Sequence, residues 1–307
     1  MDSGDSSSRS GAALMPALAI LRYELGGLWS GWLVRLWLIA AGLLALLSLA
    51  TGWGQLQTGI LLGSLLFPFL VFPWFLIVML LGISPVTGSR LEALADGILS
   101  RPITRYEYVL ASWAARVVTV LGVFFLVLAP CVVIAMFAER PKVTPDSVTW
   151  FGVLSAATLV SIVLTFLVSL GFCAGTLLRH PLVAAVVLIF GWFLTNLVLH
   201  QFRLEEFSTI SLNQAVPTLL RTPWRSEQED GRPKINAADA QAMTRQAAQF
   251  LSVLSGSPPP QPDHDSSKFF DTHDYEDFSF WKVFLGYSIP TLAAVGLATW
   301  CFCRRDL

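Results

Sequence analysis

Long stretches of the chain carry no Lys, Arg, Asp or Glu, among them Leu36 to Ser89 and Val117 to Ala138. A helix that crosses a bilayer needs about 20 apolar residues. Measured against that length, the pattern predicts six spans, at residues 36–53, 60–82, 117–138, 150–177, 182–199 and 283–303. Pro68 and Pro73 should bend the second, and Pro130 and Pro290 fall inside the third and sixth. Gly171-x-x-x-Gly175 in the fourth would let another helix approach closely. An uncharged turn from Thr51 to Gly59 and a basic turn, Leu178-Arg179-His180-Pro181, separate successive spans.

Ahead of the first span, residues 14–34 are amphipathic. Leu14, Leu18, Leu21, Leu25, Leu28 and Trp32 recur at steps of three and four, with Arg22, Glu24 and Ser30 off the stripe. Such a helix fits the plane of the bilayer surface; the alternative is a plain extension of the first span. Residues 1–13 are polar and read as a disordered cytoplasmic tail. They do not read as a secretory signal.

Between the second and third spans lies a charged island, residues 89–112, with two helix-start signals. Ser89-Arg90-Leu91-Glu92 and Thr104-Arg105-Tyr106-Glu107 both fit S/T-x-x-E. In that pattern the hydroxyl caps a free N–H three residues on, and the Glu returns to the cap's own N–H. Pro102 would stop the first helix. Leu91, Leu94, Ile98 and Leu99 share one face of the first helix, and Tyr106, Val109 and Leu110 one face of the second. The expectation is a helix-turn-helix at the membrane boundary.

Composition agrees with a membrane protein: 54% hydrophobic and 13% charged residues, against about a quarter charged in soluble domains, with mean hydropathy +0.63. Placing the N-terminus inside collects Arg9, Arg22, Arg35, Arg90, Arg101, Arg105, Arg116, Arg179, Arg304 and Arg305 on the cytoplasmic side, and only Arg140 and Lys142 in the short outer loops. The positive-inside rule then puts both termini and the island in the cytoplasm. Apart from Arg35 at the edge of the first, the spans carry no ionisable group that would relay protons or ions. Arg35 reads as snorkelling to the inner interface, and Thr195 and Asn196 as interhelical hydrogen-bonding groups. No G-x-x-x-x-G-K-[ST], G-x-S-x-G or H-E-x-x-H occurs, so the chain offers no phosphate cradle or hydrolase motif of its own. Cys131, Cys173, Cys301 and Cys303 sit in apolar runs and read as packing residues. Nothing points to nucleic acid.

Residues 201–282 form a long loop on the outer side. Residues 201–220 suggest two short helices around Pro217, and residues 237–254 a helix capped by Asn236. A Pro-rich tether, SGSPPPQPDHDSS, follows. The expectation is a helical extracytoplasmic domain with a docking surface. His264 and His273 among Asp265, Asp271 and Asp274 are candidate metal ligands, against the plainer reading of a solvated acidic linker.

The run Ile98-Leu99-Ser100-Arg101-Pro102-Ile103-Thr104-Arg105-Tyr106-Glu107-Tyr108-Val109-Leu110 closely resembles the loop after the second span of ABC-2-type permeases. There the family pattern reads G-E-R-x-x-G-T-L-x-x-L-L-S-R-P-I-S-R-x-E-Y-V-L-G-K. The resemblance extends to the amphipathic N-terminal helix, the six-helix layout and the Arg304-Arg305-Asp306-Leu307 ending, and leaves the outer loop unmatched. Among subgroups it is similar to the permeases related to copper processing in nitrous oxide reductase maturation and to gliding-associated exporters. Ser89, Ala93-Leu94-Ala95 and Ala111-Ser112 depart from the pattern.

The resemblance implies an all-α permease subunit of the bacterial inner membrane. It would pair with a second copy of itself or a related subunit and engage a separate cytosolic ATPase that uses ATP and Mg. The permease itself would hold no cofactor and hydrolyse nothing. Arg90, Glu92, Leu94, Arg101, Pro102, Arg105 and Glu107 would make the ATPase-coupling segment. Two readings of the output stay open: export of a substrate, or transmission of ATP-driven motion to a periplasmic partner on residues 201–282.

Overall fold

The computed structural model describes residues 6–54, 56–70, 73–83, 104–138, 148–178, 180–201, 209, 212, 216, 219–220 and 280–304. Two compact units divide the chain, Met1–Thr222 with Asp277–Leu307, and Pro223–Glu276; all described residues fall in the first. They form eight helices: α1 (Ser6–Ser30), α2 (Trp32–Gly52), α3 (Thr58–Leu70), α4 (Trp74–Ile83), α5 (Arg105–Phe137), α6 (Trp150–Leu177), α7 (Pro181–Gln201) and α8 (Phe280–Arg304).

Among the described residues, five helices are long and apolar enough to cross a membrane: Trp32–Gly52, Thr58–Ile83 (α3 with α4), Tyr106–Phe137, Trp150–Leu177 and Trp281–Arg304. The expected fifth span, 182–199, lies within α7, whose qualifying apolar stretch, Pro181–Asn196, is shorter. The fourth span matches its expected bounds. The second is divided: α3 ends at Leu70, and Pro73 stands just ahead of α4.

Large apolar side chains cover the outer surface of these helices, as lipid contact requires. Ile39, Leu43 and Leu46 on α2, Val186 and Phe190 on α7, and Ile289 and Leu292 on α8 are exposed. Inside, α6 is the central helix and packs on α4, α5, α7 and α8. Lipid supplies no hydrophobic drive between helices, so close backbone approach matters. The Gly171-x-x-x-Gly175 step provides it. A Cβ on Gly171 would lie 2.5 Å from the Met79 carbonyl oxygen, and one on Gly175 2.8 Å from that of Ile83. Across the contact, a Cβ on Gly82 would lie 2.6 Å from the Val168 oxygen.

Three expectations at the ends of the bundle change. First, α1 begins at Ser6, where a disordered tail was expected, and runs through Pro16. Second, the apolar side of α1 meets protein. Ile20 is buried and Leu21, Leu25 and Leu28 are half-buried as α1 packs on α5, while Leu18 and Tyr23 stay exposed. Arg35 Nε donates to the Trp29 carbonyl at 3.2 Å. It thus satisfies a free carbonyl at the end of α1, where snorkelling was expected.

Third, the loop expected on the outer side contributes residues to the first compact unit. Thr209, Leu212, Val216, Leu219 and Leu220 are helical and buried, and the four apolar ones join the main core. Their spacing of three and four is that of one helix face. The Thr149 N–H donates to the Leu220 carbonyl at 3.1 Å, tying this stretch to the start of α6. Asn196, expected to bond between spans, donates to the Trp192 carbonyl of its own helix at 2.9 Å and accepts from Thr209 Oγ1 at 3.4 Å. Thr195 is exposed.

Candidate coupling site

The second helix-start signal is where the sequence places it. Thr104 has extended backbone (φ −75°, ψ 147°) and caps α5. Its N–H donates to Glu107 Oε2 at 3.0 Å, the return half of the capping box. The first arm of the expected helix-turn-helix lies outside the described residues, and the second is longer than expected. It runs without a break for 33 residues to Phe137 and is itself the third span. The charges of Arg105, Glu107 and Arg116 suggested a boundary before residue 117, but a charge does not end a helix, and no glycine or proline stands between Thr104 and Gly122.

At 1.5 Å per residue this helix is about 50 Å long. A hydrocarbon core of about 30 Å leaves roughly 20 Å to project. The Thr104 end is wedged among neighbours. Val109 is buried with Phe172 and Cys173 of α6 and Ala294 and Ala298 of α8, with Trp113 and Phe302 packed around them. The Tyr108 and Phe302 rings stack at 6.4 Å. Tyr106 and Leu110, expected to share an apolar face with Val109, point outward instead and are 57% and 45% exposed. The rod therefore has an inner face fixed to the bundle and an apolar outer face left open.

One and two turns further in, polar groups join α5 to α6. Trp113 Nε1 donates to Ser169 Oγ at 2.9 Å, and Ser169 Oγ donates to the Thr165 carbonyl at 2.7 Å. Arg116 is 3% exposed, although the sequence count places it in cytoplasm. Its Nη1 donates to the Ser112 carbonyl at 2.8 Å and to the Ser112 hydroxyl. Its guanidinium lies 5.3 Å from the centroid of the Phe172 ring, close enough for cation–π attraction. On the opposite side α1 closes in: a Cβ on Gly122 would come 3.1 Å from the Trp29 ring.

Of the candidate coupling residues, Arg105 opens α5 and Glu107 completes its cap. Arg90, Glu92, Leu94, Arg101 and Pro102 lie outside the described residues, as do His264 and His273. Among the described residues no group of three or more His, Cys, Asp or Glu could hold a metal. The four cysteines are free thiols, with Cys131 and Cys173 buried. Sequence reasoning missed the Trp113–Ser169 bond and the burial of Arg116. The signal for the second was available: Ser112 stands four residues before Arg116, and no charge follows until Glu139.

The described residues form a multi-pass bundle of apolar helices with a capped helix at its edge. The model of the family described as "ABC-2 family transporter protein" matches residues 96–307. The chain belongs to that family. The match begins inside the island and takes in α5 to α8. No curated protein and no solved structure shows a significant match.

Proposed function

We propose that the chain is the membrane-spanning permease of an ATP-driven export complex, with the Thr104 end of α5 as the point where a separate cytosolic ATPase delivers its motion. The observation that carries this is the continuity of α5 from its cap at Thr104 to Phe137. A stiff helix pushed at one end moves at the other, whereas a hinged loop would absorb the displacement. The open apolar pair Tyr106 and Leu110 supplies a surface for the ATPase to hold. ATP and Mg would be bound and used by that partner.

Both termini and residues 84–104 would face the cytoplasm of a bacterium whose inner membrane holds the complex, with α7 as the fifth of six spans and α8 as the sixth. The exposed faces of α2 and α7 would meet lipid and a second permease copy. A second reading has its own support. Leu212, Val216, Leu219 and Leu220 join the core just before the long loop in sequence, and motion of α6 would then pass to a periplasmic partner without substrate transport. The test uses the native complex isolated in lipid nanodiscs. Vanadate-sensitive ATP hydrolysis should co-purify with the chain and fall when residues 90–105 are deleted. Undiminished association after that deletion overturns the coupling assignment.

A further inference from the structure

Trp281 and Trp300 stand at opposite ends of α8, 68% and 54% exposed. At 1.5 Å per residue about 28 Å of helix separates them, close to the thickness of a hydrocarbon core, about 30 Å. Leu285, Ile289 and Leu292 between them are exposed at the spacing of one helix face. Indole rings collect at the two levels where hydrocarbon gives way to headgroups, and this face carries one ring at each level. One turn beyond Trp300, the exposed Arg304 reaches back, and its guanidinium lies 4.2 Å from the centroid of the Trp300 ring. A cation over an indole face is held there by the ring's quadrupole. The guanidinium carries five N–H donors, and none of them meets an acceptor among the described residues. The last turn of α8 therefore presents an oriented cation, with its donors open, at headgroup level.

We infer that Trp300 and Arg304 form a binding site for the phosphate of an anionic phospholipid, with the ring holding the guanidinium at the depth of the headgroup. Two phosphate oxygens match the guanidinium's paired N–H groups. Arg305 follows directly in the sequence. A zwitterionic headgroup brings its own cation beside the phosphate, which these charges repel; an anionic one does not. Phe302, two residues from Trp300 and so on nearly the opposite face of α8, stacks its ring on Tyr108 of α5 at 6.4 Å and packs with Val109. The lipid site thus lies across α8 from the first turns of α5, and a bound headgroup holds that end of the bundle at a fixed depth. The site is a property of the permease alone. Its influence on coupling rests on the proposed function.

The test uses the full-length permease in nanodiscs of phosphatidylcholine and of its mixture with phosphatidylglycerol. In native mass spectrometry from the mixture, phosphatidylglycerol should be enriched about fivefold among the retained lipids, the ratio expected for one basic residue at an anionic surface. Arg304→Gln should abolish the enrichment. Trp300→Leu, which frees the guanidinium from its ring, should reduce it, and Trp300→Phe should lie in between. The thermal midpoint should rise with phosphatidylglycerol in the wild type and not in Arg304→Gln, while the two nearly agree in phosphatidylcholine alone. Arg22→Gln, at an exposed cation of α1, should keep the wild-type response. Equal losses of response in Arg22→Gln and Arg304→Gln would show a diffuse attraction and overturn the site, as would a midpoint lowered equally in both lipids by Arg304→Gln. Stabilisation by soluble glycerol phosphate in phosphatidylcholine nanodiscs would overturn the lipid as occupant. Should Arg304→Gln fail to fold, the wild type still decides, since retained lipids in the ratio of the bilayer overturn the proposal. Loss of the enrichment in Arg304→Gln with unaltered ATP hydrolysis of the native complex supports the site and refutes only its influence on coupling.

Discussion

Replacing Gly171 with alanine should damage the bundle out of proportion to one methyl group. The added Cβ would sit 2.5 Å from the Met79 carbonyl oxygen and 3.0 Å from the Gly82 Cα. Both obstacles are backbone, so no rotamer change relieves them. Ordinary contact requires α4 and α6 to separate by roughly 1 Å, and a gap of that size forfeits a quarter to a half of the dispersion attraction between facing atoms. Overpacking of this kind costs about 1–3 kcal/mol, and the rigidity of both surfaces favours the upper part. Alanine is also the better helix former by about 1 kcal/mol, so part of the strain is offset. The control is Gly191→Ala on α7, where nothing lies within 4 Å of a Cβ and only the propensity gain should register. Thermal unfolding in nanodiscs, followed by tryptophan fluorescence, should give a lower midpoint for Gly171→Ala and an equal or higher one for Gly191→Ala. Equal midpoints for the two variants would refute the close-approach argument.

Three further outcomes are expected. Thr104→Ala removes the N-cap of α5 and should cost about 1 kcal/mol, seen as faster hydrogen exchange confined to the first turn after residue 104. Trp113→Phe removes the indole N–H together with part of the ring; the midpoint loss it causes should be smaller by about 1 kcal/mol when Ser169 is already alanine. A cysteine placed at the exposed Tyr106, in a chain whose four native cysteines are replaced, should react with a membrane-impermeant maleimide in inside-out vesicles and not in right-side-out ones; the opposite pattern would reverse the orientation.

Five of the expected spans were legible because lipid imposes a simple demand, a long run without charge, and Trp150–Leu177 met it at both ends. The capping box at Thr104 and the glycine step on α6 were legible because each depends on local spacing. Three features were not. The continuity of α5 was hidden by Arg105, Glu107 and Arg116, whose charges mark solvent in a linear reading although the helix passes through them undisturbed. The burial of Arg116 involves Phe172, distant in sequence, so spacing alone could not supply that partner. The stretch from Thr209 to Leu220 carried a helical pattern, but its packing against Gly152 is a tertiary fact: a Cβ there would lie 2.3 Å from the Leu220 oxygen. The order of events is consistent throughout: local chemistry fixed the elements, and packing decided what each face meets.

The central claim is that an ATPase acts on the membrane domain through the Thr104 end of α5. A photo-crosslinking residue at Tyr106 or Leu110, exposed on the outer face of that end, tests it most directly in the native complex. The account predicts an ATP-sensitive adduct with an ATP-hydrolysing subunit at both positions, and none from Leu292 on the lipid-facing side of α8. Adducts with lipid alone at Tyr106 and Leu110, in a complex that still hydrolyses ATP, would contradict it.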